Sequence, residues 1–175
     1  MPFNTLHPHL SLIAARALLA LLVGIQIATS CYAADPYRLP GRVVRVVDGD
    51  TIVLEVAGAQ HRISLAGIDA PEKNQPWGEA STHELRRQVA GKHVVIDGYQ
   101  RDRRKRQIGV VRLAGEDINL RMVDRGLAWH YKQYADEQAP SEWDAYSAAE
   151  KAAQDARRGL WSDPAPVPPW EWRRR

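Results

Sequence analysis

Two runs of aliphatic and β-branched residues, "GRVVRVV" (41–47) and "TIVLEVA" (51–57), flank the polar triplet Asp48-Gly49-Asp50. In the second run Ile52, Leu54 and Val56 alternate with Val53 and Glu55, the period of a strand with one buried face. The Asp-Gly-Asp break is a turn signal. A third run, "RISLA" (62–66), follows Gly58 and keeps Ile63 and Leu65 on one face. Three consecutive strands with short turns predict a meander. The pattern then changes period. "GEASTHELRRQVAG" (78–91) reads as a helix ending at Gly91, "HVVIDGY" (93–99) and "RQIGVVRLAG" (106–115) as two more strands. "INLRMVDRG" (118–126) is a short helix that stops at Gly126, with Leu120, Val123 and Leu127 at helical spacing. A last helix starts from Ser141 as N-cap, with Asp144 three residues on, and runs to Gly159 as its C-terminal stop.

Five strands with helices after the third and at the end predict a mainly β, α+β fold. The best fit is a five-stranded OB-fold barrel with about three packed helices. A generic α+β sandwich is the other arrangement, because strand order is not encoded in this pattern. Leu160 and Trp161 are expected to pack back on the last helix. The tail "DPAPVPPWEWRRR" is proline-rich and extended, but Trp161, Trp170 and Trp172 are costly to leave in water, which favours partial docking.

The N-terminus obeys a different pattern. One basic residue, Arg16, precedes an apolar run from Ala17 to Ala28, and small residues follow. This is the layout of a secretory signal peptide over residues 1–33, cleaved after Ala33. The run is too short for a comfortable membrane span. Lipidation at Cys31 is the alternative, with Ala28-Thr29-Ser30 a poor lipoprotein signal. The organisation is therefore a leader (1–33), a linker (34–40), one domain (41–163) and a tail (164–175). The mature protein is expected to be exported and monomeric, with no stable membrane span and no protein partner implied.

Composition narrows the chemistry. Cys31 is the only cysteine of the chain. Without it there is no disulfide framework, no thiolate nucleophile and no cysteine-ligated zinc. The formal net charge of +3 is too small to identify a partner, but its distribution is uneven. In "RDRRKR" (101–106) five of six residues are basic. Clustered arginines suit phosphate oxygens, which they engage in bidentate fashion. Trp129, Tyr131 and Tyr134 follow and could stack on bases, although core packing is the better reading for Trp129.

Asp50 begins one strand and Asp69 follows the end of another, so a meander can bring both to one rim. Two hard carboxylates suit a hard cation such as Ca2+. Pro71 restricts Ala70 to extended conformations and can aim its backbone carbonyl as a third oxygen ligand. Glu72 would stand nearby and could take a proton from an attacking water. Asp-Gly-Asp is also an ordinary turn, and Asp-x-Pro-Glu an ordinary loop entry.

Together "VVDGDTIVL", "LAGIDAPE", the Asp102–Arg106 segment, "INLRMVDRGLAWHY" and "GLWSDP" resemble the thermonuclease (staphylococcal nuclease) family over residues 41–163. The resemblance implies an OB-fold barrel and calcium-dependent cleavage of DNA and RNA phosphodiesters that leaves 3′-phosphates. By the same resemblance Asp50 and Asp69 are the calcium carboxylates and Ala70 supplies a carbonyl ligand. Glu72 takes the place of the general base or water-orienting residue. Arg106 matches the second of two catalytic arginines, and Asp102 an acid of the same motif. Arg103 and Arg104 fall where the family contacts a terminal phosphate, Arg104 replacing the usual tyrosine. Tyr134 falls at one base-stacking position and Lys132 at the other.

One position departs from the family. Its first catalytic arginine lies five residues before the second aspartate, where this chain has Ser64. A hydroxyl supplies no cationic fork, and losing one transition-state donor costs on the order of a hundredfold in rate. Arg62 is two residues away on the same strand face and is the expected substitute. Two readings follow: a nuclease acting on single-stranded or denatured DNA and RNA with a modified arginine set, or a weakened nuclease fold that binds nucleic acid. Retention of Glu72, Arg106 and both aspartates favours the enzyme.

Overall fold

The computed structural model describes residues 38–101, 107–133 and 138–175. The predicted leader, Asp102, Arg103, Arg104, Arg106 and Tyr134 lie outside the described residues. Eight strands are present among those described: β1 (Arg38–Val46), β2 (Thr51–Val56), β3 (Ala59–Leu65), β4 (Ile68–Asp69), β5 (His93–Arg101), β6 (Gln107–Leu113), β7 (Glu116–Asp117) and β8 (Trp129–His130). The helices are α1 (Gly78–Val89), α2 (Ile118–Asp124), α3 (Pro140–Asp155) and α4 (Pro169–Trp172), with a 3-10 turn at Gly159–Ser162.

The main sheet has the order β3-β2-β1-β5-β6-β7, and β3 also pairs with β6. That last pairing is parallel, Ile63 to Gln107 through Leu65 to Gly109, and it closes five strands into the expected barrel. Closure removes the free edges that β3 and β6 would otherwise expose. Val43, Ile52, Leu54, Ile63, Leu65, Val94, Ile96 and Val111 belong to one buried cluster, which Leu85 and Val89 of α1 and Met122 and Val123 of α2 join. The period-2 pattern read in β2 and β3 is this inward face.

β1 begins at Arg38, so its first three residues come from the segment read as linker. Pro40 is tolerated there because β2 pairs with β1 only from Arg42 onward. Pro40 faces Val95 of β5 alone, an edge environment in which the missing N–H is not needed. The three two-residue strands β4, β7 and β8 are too short to leave a periodic signature. The last helix also starts differently from expectation. Ala139 is its N-cap, without a side-chain cap bond, and Pro140 opens the first turn. The fixed φ of proline suits that position, so Ser141 lies inside the helix.

Asn119 is fully buried and fastens α2 to the barrel. Its side chain accepts from Val111 N at 3.1 Å and donates to Ala66 O at 3.0 Å. Asp117 caps α2 by accepting from Leu120 N at 2.9 Å, and the buried Tyr146 of α3 donates its hydroxyl to the same carboxylate at 3.1 Å. Burial and the adjacent Asp117 charge hold the Tyr146 phenol well above its usual range. These bonds set the helical layer against one end of the barrel.

The tail is packed. Trp170 meets the buried Trp129 edge-on at 6.3 Å, and Trp161 meets it at 5.2 Å. Trp172 Nε1 donates to Asn74 Oδ1 at 3.3 Å, and the Gln75 amide donates to Val167 O at 2.6 Å. Trp129 is therefore a core residue, the reading preferred for it from the sequence.

Candidate active site

Asp48-Gly49-Asp50 links β1 to β2, and Asp69-Ala70-Pro71-Glu72 leaves β4. The two segments are bonded to each other. Asp50 Oδ2 accepts from Ala70 N at 2.8 Å, and the Asp50 carbonyl accepts from Leu65 N at 2.7 Å. Thr51 donates its hydroxyl to Asp50 Oδ1 at 2.9 Å, and Asp50 N donates to Asp48 Oδ1 at 3.2 Å. The expected convergence of the two aspartate segments at one rim is thus present. Gly49 is required by it: a Cβ there would lie 2.7 Å from Ala70 Cβ, well inside contact distance, and would drive the segments apart.

The electrostatics of this rim are unusual. Burial pushes the Asp50 carboxyl up to about 8, with the Asp48 and Asp69 charges adding to it and the bonds from Ala70 and Thr51 opposing it. Burial and the neighbouring carboxylates disfavour the Asp50 anion, the condition a cation relieves. Clustered oxygen donors of low solvent access fit a hard divalent ion. Among the described residues no group of three or more His, Cys, Asp or Glu converges as a metal cluster. The residues that would hold such an ion are Asp50, Asp69 and, through its carbonyl, Ala70.

Glu72 is held by its backbone. Its N–H donates to Gln75 Oε1 at 3.0 Å, and its carbonyl accepts from Gln75 N at 2.9 Å. Gln75 is buried and passes the chain to Gly78, whose N–H donates to the Gln75 carbonyl at 3.0 Å. Trp77, in a left-handed conformation at φ 73°, then turns the chain into α1.

A residue that the sequence pattern does not single out occupies this site. Arg173, just past α4, donates from Nη1 to Asp69 Oδ1 at 3.1 Å and from Nη2 to Asp69 Oδ2 at 2.8 Å. Nη1 also donates to Glu72 Oε1 at 2.7 Å. These bonds, with that to Asp69 the stronger influence, raise the Arg173 guanidinium above the ordinary arginine range. More than a hundred positions separate Arg173 from Asp69, so no local pattern joins them. The available signal was compositional: a basic cluster directly after two tail tryptophans that need cover.

Ser64 pairs with Thr51 across β2 and β3, which places it beside the Asp50 strand end. Arg62 pairs with Val53, is exposed, and lies in the same strand. Among the described residues, Arg173 pairs with both Asp69 and Glu72. Lys132 is engaged elsewhere, its ammonium bonded to the buried carboxylate of Glu150 on α3. Arg103, Arg104, Arg106 and Tyr134 fall on residues outside those described.

The sequence profile described as staphylococcal nuclease homologue matches residues 62–163. The chain is 46% identical over 137 residues to a protein of Escherichia coli O157:H7 named an uncharacterized endonuclease, covering 77% of this chain and 85% of that one. It is 36% identical over 170 residues to the micrococcal nuclease of Shigella flexneri, covering 92% and 94% of the two chains. A probable staphylococcal-like nuclease of Oryza sativa is 38% identical over 120 residues, which is 69% of this chain and 34% of the plant protein.

Proposed function

The chain belongs to the staphylococcal nuclease family and is a nuclease-type hydrolase, and from that premise we propose that it is a calcium-dependent phosphodiesterase of single-stranded or denatured DNA and RNA. The observation that carries the metal assignment is the Asp50–Ala70 bond. It ties one carboxylate to the backbone whose carbonyl would be the third donor, in a rim where burial and neighbouring carboxylates disfavour the Asp50 anion. Asp50, Asp69 and the Ala70 carbonyl would hold the ion. Calcium, when bound, supplies a Lewis acid that draws charge from the phosphate oxygens.

The other tasks fall to side chains. Glu72 orients and deprotonates water, fixed in place through Gln75. Arg106 donates to the phosphate as negative charge develops. Arg103 and Arg104 hold a terminal phosphate, while Tyr134 stacks on a base and Lys132 lies at the edge of that platform. Export with removal of residues 1–33 belongs to the same proposal, acylation at Cys31 being the alternative. No helix among the described residues is long and apolar enough to cross a membrane.

The test is incubation of the purified chain with a single-stranded oligonucleotide, in calcium and then in chelator. Calcium-dependent products bearing 3′-phosphates are expected. Cleavage that continues in chelator would remove calcium from the assignment, and intact oligonucleotide under both conditions would remove the activity.

A further inference from the structure

Ser64 leaves this nuclease site one cationic donor short, and the structure places a guanidinium there from another part of the chain. We infer that Arg173 of the C-terminal tail is a catalytic residue. It takes the phosphate contact that β3 cannot make at Ser64. The inference rests on the nuclease reading of the Asp69–Glu72 segment.

Three observations carry it. The first is position. Arg173 bonds both oxygens of Asp69 and one oxygen of Glu72, so its guanidinium lies against the groups assigned to hold the metal and activate the water. A phosphate on which those groups act would therefore lie close to this guanidinium. The second is construction. Trp170 packs on Trp129 and on Tyr131, the latter with ring centroids 5.5 Å apart. Trp172 is bonded to Asn74, and Val167 to Gln75, the residue that also fixes Glu72. The tail is anchored on both sides of Arg173's target, through the loop that carries the base. The third is the lack of a nearer candidate in β3. Ser64 offers a hydroxyl, and Arg62 is exposed opposite Val53.

The chemistry favours exchange. A guanidinium fork fits a carboxylate and a phosphate equally well. In the free protein Asp69 and Glu72 satisfy it. When a phosphodiester enters, the fork can pass from carboxylate to phosphate without leaving the site, and the charge it neutralises grows as the transition state forms. The same contact could instead act as a plug, with Arg173 occupying Asp69 against an incoming cation. The two roles predict opposite signs.

The experiment uses the full chain, the single variants Arg173→Ala and Arg173→Lys, and the double variant Arg173→Ala with Ser64→Arg. Single-turnover cleavage of an oligonucleotide is measured at saturating calcium, and oligonucleotide affinity is measured in chelator. Arg173→Ala is expected to lower the rate about a hundredfold and to leave affinity within about threefold, because a transition-state donor acts on rate more than on binding. Lysine should recover little, lacking the fork, whereas adding Ser64→Arg to Arg173→Ala should restore about tenfold or more.

A readout independent of turnover is the Arg173 side-chain 15Nε resonance. It should shift when an uncleavable phosphorothioate oligonucleotide is added together with calcium. An unchanged rate with an unmoved resonance overturns the inference. A faster Arg173→Ala protein that binds calcium more tightly also overturns it, and identifies the plug. If the parent chain does not cleave at all yet the resonance shifts, the phosphate contact stands and the nuclease reading is what fails.

Discussion

The Asp50 carboxylate accepts the amide hydrogen of Ala70 at 2.8 Å, across twenty residues of sequence. That bond joins the β1–β2 turn to the segment after β4. It also partly offsets the burial that pushes Asp50 up to about 8. Asparagine keeps an acceptor for the Ala70 N–H while removing the charge. In chelator near neutral pH, Asp50→Asn is expected to be more stable than the parent by roughly 1 kcal/mol or more, because the parent must take up a proton or bury a charge at Asp50 in order to fold. Asp50→Ala should gain less, since it also leaves the Ala70 amide unpaired. Calcium should raise the Tm of the parent by linkage and that of neither variant. Thermal melts with and without calcium check this, and a calcium response in Asp50→Asn would exclude Asp50 as a ligand.

Gly78 opens α1 where the chain passes close to Glu72. A Cβ at position 78 would lie 2.7 Å from the Glu72 carbonyl carbon and 3.1 Å from Lys73 Cα. Both neighbours are backbone and cannot rotate away. Gly78→Ala should destabilise by about 1–3 kcal/mol, the size of an overpacking strain. It should also lower the cleavage rate by displacing Glu72, with little loss of DNA affinity. Denaturant titration and single-turnover kinetics measure the two effects. A stable variant with reduced rate would mean the strain is relieved at the Glu72 loop itself.

The basic run at 101–106 makes a prediction about salt. Replacing Arg103 and Arg104 by alanine should weaken binding of single-stranded DNA. It should also reduce the slope of log affinity against log salt by about 0.7 for each phosphate that is no longer neutralised. An unchanged slope would show that the two arginines face solvent without touching the backbone of the nucleic acid.

His130 supplies the pH dependence. Its ring is enclosed by α3, with Gln138 at 2.8 Å from Nε2 and Ser147 at 3.3 Å from Nδ1. Burial lowers its affinity for a proton and the Lys132 charge adds to that, while Gln138 and Glu150 oppose it. The folded value therefore lies below the ordinary histidine value of 6.5. The unfolded chain takes up the proton first. Stability is thus intact above 6.5 and declines as pH falls from there toward the folded value. His130→Gln should flatten the decline on the acid side. Urea midpoints from about pH 7 down to about pH 5, a range that brackets the histidine transition, measure it. Parallel profiles for parent and variant would show that the ring does not titrate differently in the two states.

The barrel was legible because its strands carry the period of a half-buried surface. Ile52, Leu54 and Ile63 announce their faces, and all three are fully buried. The two aspartates and Glu72 were legible for a related reason: they sit at strand ends, where turn chemistry is visible. What escaped depends on long-range contact. The parallel β3–β6 pairing cannot be inferred from either strand alone. Strands β4, β7 and β8 span two residues each, too few for a pattern. The N-cap at Ala139 replaced Ser141 because Pro140 pre-sets the first turn, a backbone preference that outweighed a side-chain bond. Arg173 was invisible as a site residue because its partners lie at the other end of the domain.

The packing of the tail sets an order of events. Its contacts at the site span 92 to 104 residues of sequence, so they can form only once the rest of the domain has brought the loop after β4 and the tail together. Every barrel strand pairing lies within residues 38–117, so the barrel can form before Arg173 arrives, and residues 164–175 can detach without breaking any of those pairings. Such a segment can open locally at less than the full unfolding free energy. Amide hydrogens of α4 would then exchange ahead of those in β2 and β3, each opening taking Arg173 away from Asp69 and Glu72 while the barrel stays folded.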